Sequence, residues 1–249
     1  MPARPPAAVS CHVERPLDDR VWAAFSRLQA ARPGGFAIAA LMRPPDPEAN
    51  EDEVRWLERA RAAAARGPFG LHTHWTSPSH ARPTVGDPAE RVRRELAWLR
   101  ERDLEPTLFA GGGWYIDEDV AEALAAAGLA DCTATAFRPS YLPAGAARLG
   151  TDRPTNLVLA SGARLLELPS THSLGMLARG LAGRLTASVI HVYFHDTDLL
   201  EPLRRRALQA ALAVLGRFRA RPTDLDTLRR ELADAAETPF EAVYEKAPA

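Results

Sequence analysis

"FGLHTHWTSPSHARPTVGDPAERVRRELAWLRER", residues 69–102, holds both halves of the pattern on which the fold rests. Its first six residues, 69–74, read as a short buried strand that ends in H-T-H. Residues 87–102 read as the helix that follows, with Asp87 as N-cap and Pro88 in the first turn. A strand, a polar crossing and an amphipathic helix make one β/α unit.

The same unit recurs on both sides of this stretch. Strand-like runs are expected at 7–14, 34–42, 106–112, 130–137, 163–171 and 187–195. Helical patterns are expected at 18–32, at 50–66 with Asn50 as cap, and at 117–128 with Gly128 as the stop. A weaker helix follows the sixth strand, and two amphipathic stretches, 198–220 and 223–237, end the chain. Residues 138–162, rich in Pro, Gly and Arg, are the longest candidate loop.

Alternation of this kind requires parallel strands with helical crossovers. No glycine-rich phosphate loop follows the first strand, so a (β/α) barrel fits better than an open doubly wound sheet. The seven units show no break in composition. A single domain over residues 1–249 is the expectation.

Composition bounds the function. The 249 residues are 46% hydrophobic and 25% charged, enough for a sizeable core. A formal charge of −1 without a basic stripe argues against nucleic acid or an anionic membrane as partner. The opening residues lack the apolar core of a signal peptide and no window resembles a membrane span, so a cytoplasmic protein is expected. Two cysteines, Cys11 and Cys132, are too few for a disulfide framework and read as small buried residues.

In barrels of parallel strands the chemistry gathers at the C-terminal strand ends. Side chains two apart share a strand face, which groups Ser10, His12 and Glu14, then His72 and His74, then His191, Tyr193 and His195. Imidazoles from three strands with a carboxylate suit a divalent cation, zinc first and iron, cobalt or nickel next. His80 lies further along the loop and is a ligand, a substrate contact or neither; His172 is a site group, a cap or a surface residue. Trp22, Trp56 and Trp98 lie on helices and read as core. Trp75 and Trp114 sit just past strand ends, where each is either a sugar-stacking wall or packing.

At this point the pattern resembles the polysaccharide deacetylase superfamily (NodB homology, carbohydrate esterase family 4), whose fold is a distorted (β/α)7 barrel. "GLHTHWTSP" (70–78) resembles its H-x-H metal motif, "FAGGGWYIDEDVAEALAAAGLADCTAT" (109–135) its third segment, "ELPST" (167–171) its strand-six segment, and "IHVYFHDTDLL" (190–200) its last motif. The resemblance implies that His72 and His74 are metal ligands and that His195 protonates the leaving amine. It also matches Asp131 to the acid that opens the family's D-S-S segment.

Two positions depart from the family. His12 stands where an aspartate is expected, leaving Glu14 as the carboxylate, and Ala110 replaces an arginine. Two assignments follow: Glu14 as base with His12 as third ligand, or the reverse. Tyr193 and Arg138 complete the candidate substrate contacts with Trp75 and Trp114. The implied function is metal-dependent removal of an acyl group, expected to be N-acetyl, from an amino sugar or related small carbohydrate or amide. The competing expectation is a degenerate deacetylase fold that binds carbohydrate or a partner without hydrolysis.

Overall fold

The computed structural model of the chain describes residues 4–182 and 187–245. Residues 1–3, 183–186 and 246–249, although within the expected 1–249 domain, lie outside the described residues.

The chain begins with β1 (Pro6–Val13), α1 (Asp19–Ala31), β2 (Ala39–Met42) and α2 (Glu53–Ala64). It continues with β3 (Phe69–Thr73), α3 (Pro88–Arg100), β4 (Leu108–Gly111), α4 (Glu118–Ala127) and β5 (Ala130–Asp131). Four short strands follow, β6 (Arg148–Leu149), β7 (Thr155–Val158), β8 (Arg164–Glu167) and β9 (His172–Ser173), and then α5 (Leu174–Ala182). The last elements are β10 (Ile190–His195), α6 (Pro202–Val214), β11 (Arg221–Pro222), α7 (Leu225–Glu231), β12 (Glu237–Pro239) and β13 (Tyr244–Glu245).

Local chemistry explains the helix ends. The side chains of Asp18, Asp52, Asp87 and Asp117 each accept backbone N–H bonds that the first turns of α1, α2, α3 and α4 leave open. Asp52, not Asn50, caps α2, and Asn50 instead takes a left-handed turn at φ 50°. α4 stops at Gly128, whose φ of 74° is a conformation that glycine adopts without strain.

The main sheet runs β12-β7-β8-β5-β4-β3-β2-β1-β10-β9. One stretch of chain, β8 through β9, joins both flanks of its parallel part. The start of residues 164–173 pairs in parallel with β5, and the end of the same stretch pairs in parallel with β10. Between them, Ser170 N donates to Ala134 O and Thr171 N to His191 O. Seven parallel strand positions therefore close on themselves, which is the distorted (β/α)7 barrel of the sequence reading.

The barrel's lower interior is filled by small and medium residues, among them Ala8, Ala39, Leu41, Leu108, Ala110 and Cys132, with Leu225 and Leu228 of α7 packed beneath. Cys11 faces the other way, into the layer between strands and helices with Phe25 and Leu28. Both cysteines are free and buried, as expected.

One expected loop is not wholly a loop. Within 138–162 lies β7, which forms an antiparallel hairpin with β8 around Gly162 (φ 83°), and β12 adds beside it. β6 pairs with β13. The T-N-L-V run is short and the surrounding Pro, Gly and Arg masked it. β2 also starts later than expected, because Gly34 and Gly35 (φ 68° and 85°) turn the chain first.

Candidate metal centre

The strand register brings the predicted groups to one level. Ser10 pairs with Tyr193 and His12 with His195 across β1 and β10, while His72 lies beside Ala110 across β3 and β4. Their side chains converge at the C-terminal rim. Glu14 Oε1 lies 3.7 Å from His72 Nε2, 3.5 Å from His74 Nε2 and 3.6 Å from His195 Nε2.

Second contacts fix the two rim histidines of β3. His72 Nδ1–H donates to the Ala110 carbonyl at 2.9 Å, and His74 Nδ1–H donates to the Pro78 carbonyl at 2.8 Å. Because a carbonyl only accepts, each ring carries its proton on Nδ1 and turns its Nε2 lone pair inward. Both Nε2 atoms are buried and have no hydrogen-bond partner.

Among the described residues, Glu14, His72 and His74 are the three groups whose donor atoms lie within 4.8 Å of one another. Burial pushes the Glu14 carboxyl upward, and hydrogen bonds from His72 and His74 would pull it down only with a proton on their Nε2 atoms. With Glu14 ionised and both rings protonated at Nδ1, three electron-pair donors meet with no proton donor among them. A tetrahedral zinc with donors about 2.1 Å away sets them about 3.4 Å apart. The two observed separations from Glu14 suit such an ion.

His12 lies outside that trio. Its ring stacks on His72 at 4.6 Å, meets His195 edge-on at 5.2 Å and lies 5.5 Å from Tyr193. Burial, reinforced by the like-charged His72 and His195, pushes its pKa well below the ordinary imidazole value. His12 is therefore a neutral imidazole beside the trio. His195 is backed by Asp198, whose Oδ2 lies 4.0 Å from His195 Nδ1 and accepts the His195 backbone N–H at 3.0 Å. Arg204 in turn donates to Asp198 at 2.9 Å.

An aromatic wall stands beside His12. Trp114 and Tyr193 meet at 4.9 Å and cluster with Leu142, and Trp114 lies 5.8 Å from His12. Trp114 occupies the left-handed region at φ 57°, at a cost of about 1–3 kcal/mol for a bulky residue. Tyr141, 64% exposed, bonds its hydroxyl to the Trp114 indole.

Trp75 packs differently. It is buried against Phe109 and Tyr115 and donates to the Gly112 carbonyl, so it belongs to the core. Gly112 is needed there: a Cβ at this position would lie 2.6 Å from the Thr73 carbonyl and 3.0 Å from the His74 ring. Arg138 spends its guanidinium on the Pro143 and Ala146 carbonyls and lies 3.8 Å from Glu245.

The remaining histidines find ordinary partners. His191, deeper in the barrel, bonds Ser10 and the Leu168 carbonyl, and burial pulls its pKa down to about 4. His80 is exposed and bonds Ser77 and Ser79 in its own turn. His172 bonds Thr171. Sequence reasoning missed Asp198 and Tyr141. The D-T-D after His195 was a usable signal for the first, whereas Tyr141 sits in a loop without periodicity.

A cleft of about 520 Å³, lined by Glu14, Arg15, Arg43, His74 and Ser79 among others, opens from the trio to solvent. Among the described residues no helix is long and apolar enough to cross a membrane.

Comparison of the whole chain with solved structures defines its fold class. A 4-alpha-glucanotransferase from Thermococcus litoralis superposes with TM-score 0.58 at 11% identity over 94% of this chain, which spans 40% of that enzyme. A Bordetella bronchiseptica protein described as a candidate polysaccharide deacetylase involved in O-antigen biosynthesis gives 0.52 at 13% identity, over 93% of this chain and 91% of that one. A mutant of a family 4 carbohydrate esterase pseudoenzyme with restored activity gives 0.54 at 10% identity, over 92% and 68%. The chain has the polysaccharide-deacetylase fold. No protein-family profile matches the sequence, and no curated protein shows significant similarity to it.

Proposed function

We propose that the protein is a metal-dependent hydrolase that removes an acyl group, N-acetyl first, from an amino sugar or related small carbohydrate. The observation that carries this reading is the convergence of the orphaned His72 and His74 Nε2 atoms on an ionised Glu14. Glu14, His72 and His74 would hold a divalent cation, zinc first. What such a cation supplies is Lewis acidity toward a water and an acyl carbonyl.

The chain's own groups do the rest. His12, neutral and next to His72, accepts the proton of the attacking water, the second of the two assignments above. His195, with Asp198 behind it, holds a proton at Nε2 and delivers it to the leaving amine. Trp114, Tyr193 and Leu142 form an apolar surface for the acyl methyl. Tyr141, at the exposed edge, offers a ring face to a sugar. Arg138, tied into its own loop, keeps that loop in shape.

The substituted positions favour a second reading. With His12 in place of aspartate and Ala110 in place of arginine, the site would bind a carbohydrate without cleaving it. A likeness to a pseudoenzyme's fold is compatible with that outcome.

The deciding experiment has two parts. Purified protein is expected to bind about one equivalent of zinc and to lose it when His72 and His74 are both changed to alanine. The zinc-loaded protein is then expected to release acetate from a member of a panel of N-acetylated amino sugars. Failure to bind zinc or cobalt removes the metal reading; stoichiometric metal without acetate release supports the binding protein instead.

A further inference from the structure

The second candidate ligand sits one residue beyond the sheet. The ladder between β3 and β4 ends at Thr73 opposite Gly111, so no strand pairing holds His74. Something else must keep its backbone in place if both rings are to aim at Glu14.

The outward-facing residues of the same stretch show what does. Thr73 Oγ1, between the two ligands in sequence, donates to Glu95 Oε2 of α3 at 2.6 Å. Arg91, one helical turn earlier, donates Nε–H to the other oxygen of Glu95 at 2.9 Å. The same guanidinium donates to the Trp75 carbonyl, also at 2.9 Å. Arg91 and Glu95 are spaced i, i+4, so both reach from one face of the helix. Their side chains are 22% and 11% exposed.

H-T-H-W is thus gripped on both sides of the sheet. His72 and His74 point inward and bond the Ala110 and Pro78 carbonyls, while Thr73 and the Trp75 carbonyl are held from outside by α3. Since successive strand residues face opposite ways, pinning Thr73 and Trp75 fixes the backbone between them, and with it the His74 ring.

We propose that Arg91 and Glu95 are positioning residues for the metal centre, acting through Thr73 and Trp75, and that without them the pair of imidazoles no longer holds a common aim. The proposal rests on the metal reading above for its consequence. Its geometry stands independently and can be tested without metal.

Three variants test it: Thr73→Val, which keeps shape and removes the hydroxyl, Glu95→Ala, and Thr73→Ser, which keeps the hydroxyl. In metal-free protein, the Nδ1–H resonances of His72 and His74 are followed by imidazole NMR and their exchange with solvent is timed. Thr73→Val and Glu95→Ala are expected to speed that exchange at least about tenfold, and Thr73→Ser to match the parent. In zinc titrations with a competing chelator, the same two variants are expected to bind about 10- to 100-fold more weakly, the range for residues behind metal ligands.

Unchanged Nδ1–H exchange in Thr73→Val, whether or not its melting temperature drops, would overturn the proposal and leave the pair a simple structural ion pair. A parent protein that binds no zinc would remove the metal reading, and the exchange measurement would still decide the positioning.

Discussion

Two clusters in this molecule, one at the barrel rim and one inside it, are built from similar groups and do opposite things with them. At the barrel rim, Glu14 meets imidazole nitrogens that have no other partner. On β5 and β8, Asp131 and Glu167 are register neighbours, both fully buried, and each keeps one carboxylate oxygen unpartnered. In the pair, burial raises both acids, and the neighbouring Asp131 raises Glu167 further.

The difference lies in who supplies the hydrogen. Asp131 accepts from Thr133 N and Thr133 Oγ1, which favours its charged form, while Glu167 accepts only from Ala134 N and is raised further by Asp131. The Thr133 hydroxyl also accepts from Gly111 N, which ties the pair to the end of β4. A proton on Glu167 would complete that cluster. The rim trio has only acceptors of its own, so nothing within it satisfies the buried Nε2 atoms of His72 and His74. Buried polar atoms without partners mark a candidate site only where nothing nearby can satisfy them internally.

Replacing Glu14 by glutamine attacks the contrast most directly. The amide brings an N–H donor among the three acceptors, so the metal-free protein should melt higher, by the worth of about one hydrogen bond, 0.5–1.5 kcal/mol. The same change removes a ligand, and zinc affinity should fall by more than the roughly 10- to 100-fold that residues behind the ligands cost. Calorimetry with and without zinc reads both effects. A lower melting temperature for the metal-free variant would mean that Glu14 is satisfied as it stands.

His195→Gln separates chemistry from binding at the same rim. Zinc affinity should stay within a few-fold of the parent, because His195 lies outside the trio. Acetate release should drop by about 10²- to 10⁴-fold, the contribution of a positioned acid or base. Loss of zinc with loss of activity would place His195 among the ligands instead.

How much of this was visible beforehand depended on periodicity. Alternation along β1, β3 and β10 put His12 with Glu14, His72 with His74, and Tyr193 with His195 on common faces, and the register places them there. The seven-strand ring was visible for the same reason. What alternation could not say is which of two residues on a face reaches furthest inward: Glu14, at the strand's mouth, joins the trio, and His12, two residues deeper, stacks against it. Trp75 and Trp114 also looked alike in sequence, both just past strand ends. One turns into the core and the other, bent to a positive φ, faces the site. Loops hid the rest, because Arg138 and Tyr141 take their places from backbone geometry that no hydrophobic pattern encodes.

The smallest effect belongs to the acid pair. Glu167 is held protonated in the folded chain above the pH at which it ionises when unfolded, so the folded state binds the extra proton. Stability contributed by that proton is present at low pH and declines as pH climbs past the unfolded carboxyl value of about 4.3 toward the raised folded one. Glutamine at position 167 keeps the shape and the hydrogen-bond donor but has no proton to lose. Glu167→Gln should therefore match the parent near pH 3.5, below the unfolded carboxyl value, and become relatively more stable by pH 8, by about 1–3 kcal/mol. Urea melts at the two pH values measure this difference. An equal offset at both would mean that the pair does not share a proton, and the contrast with the rim would then rest on geometry alone.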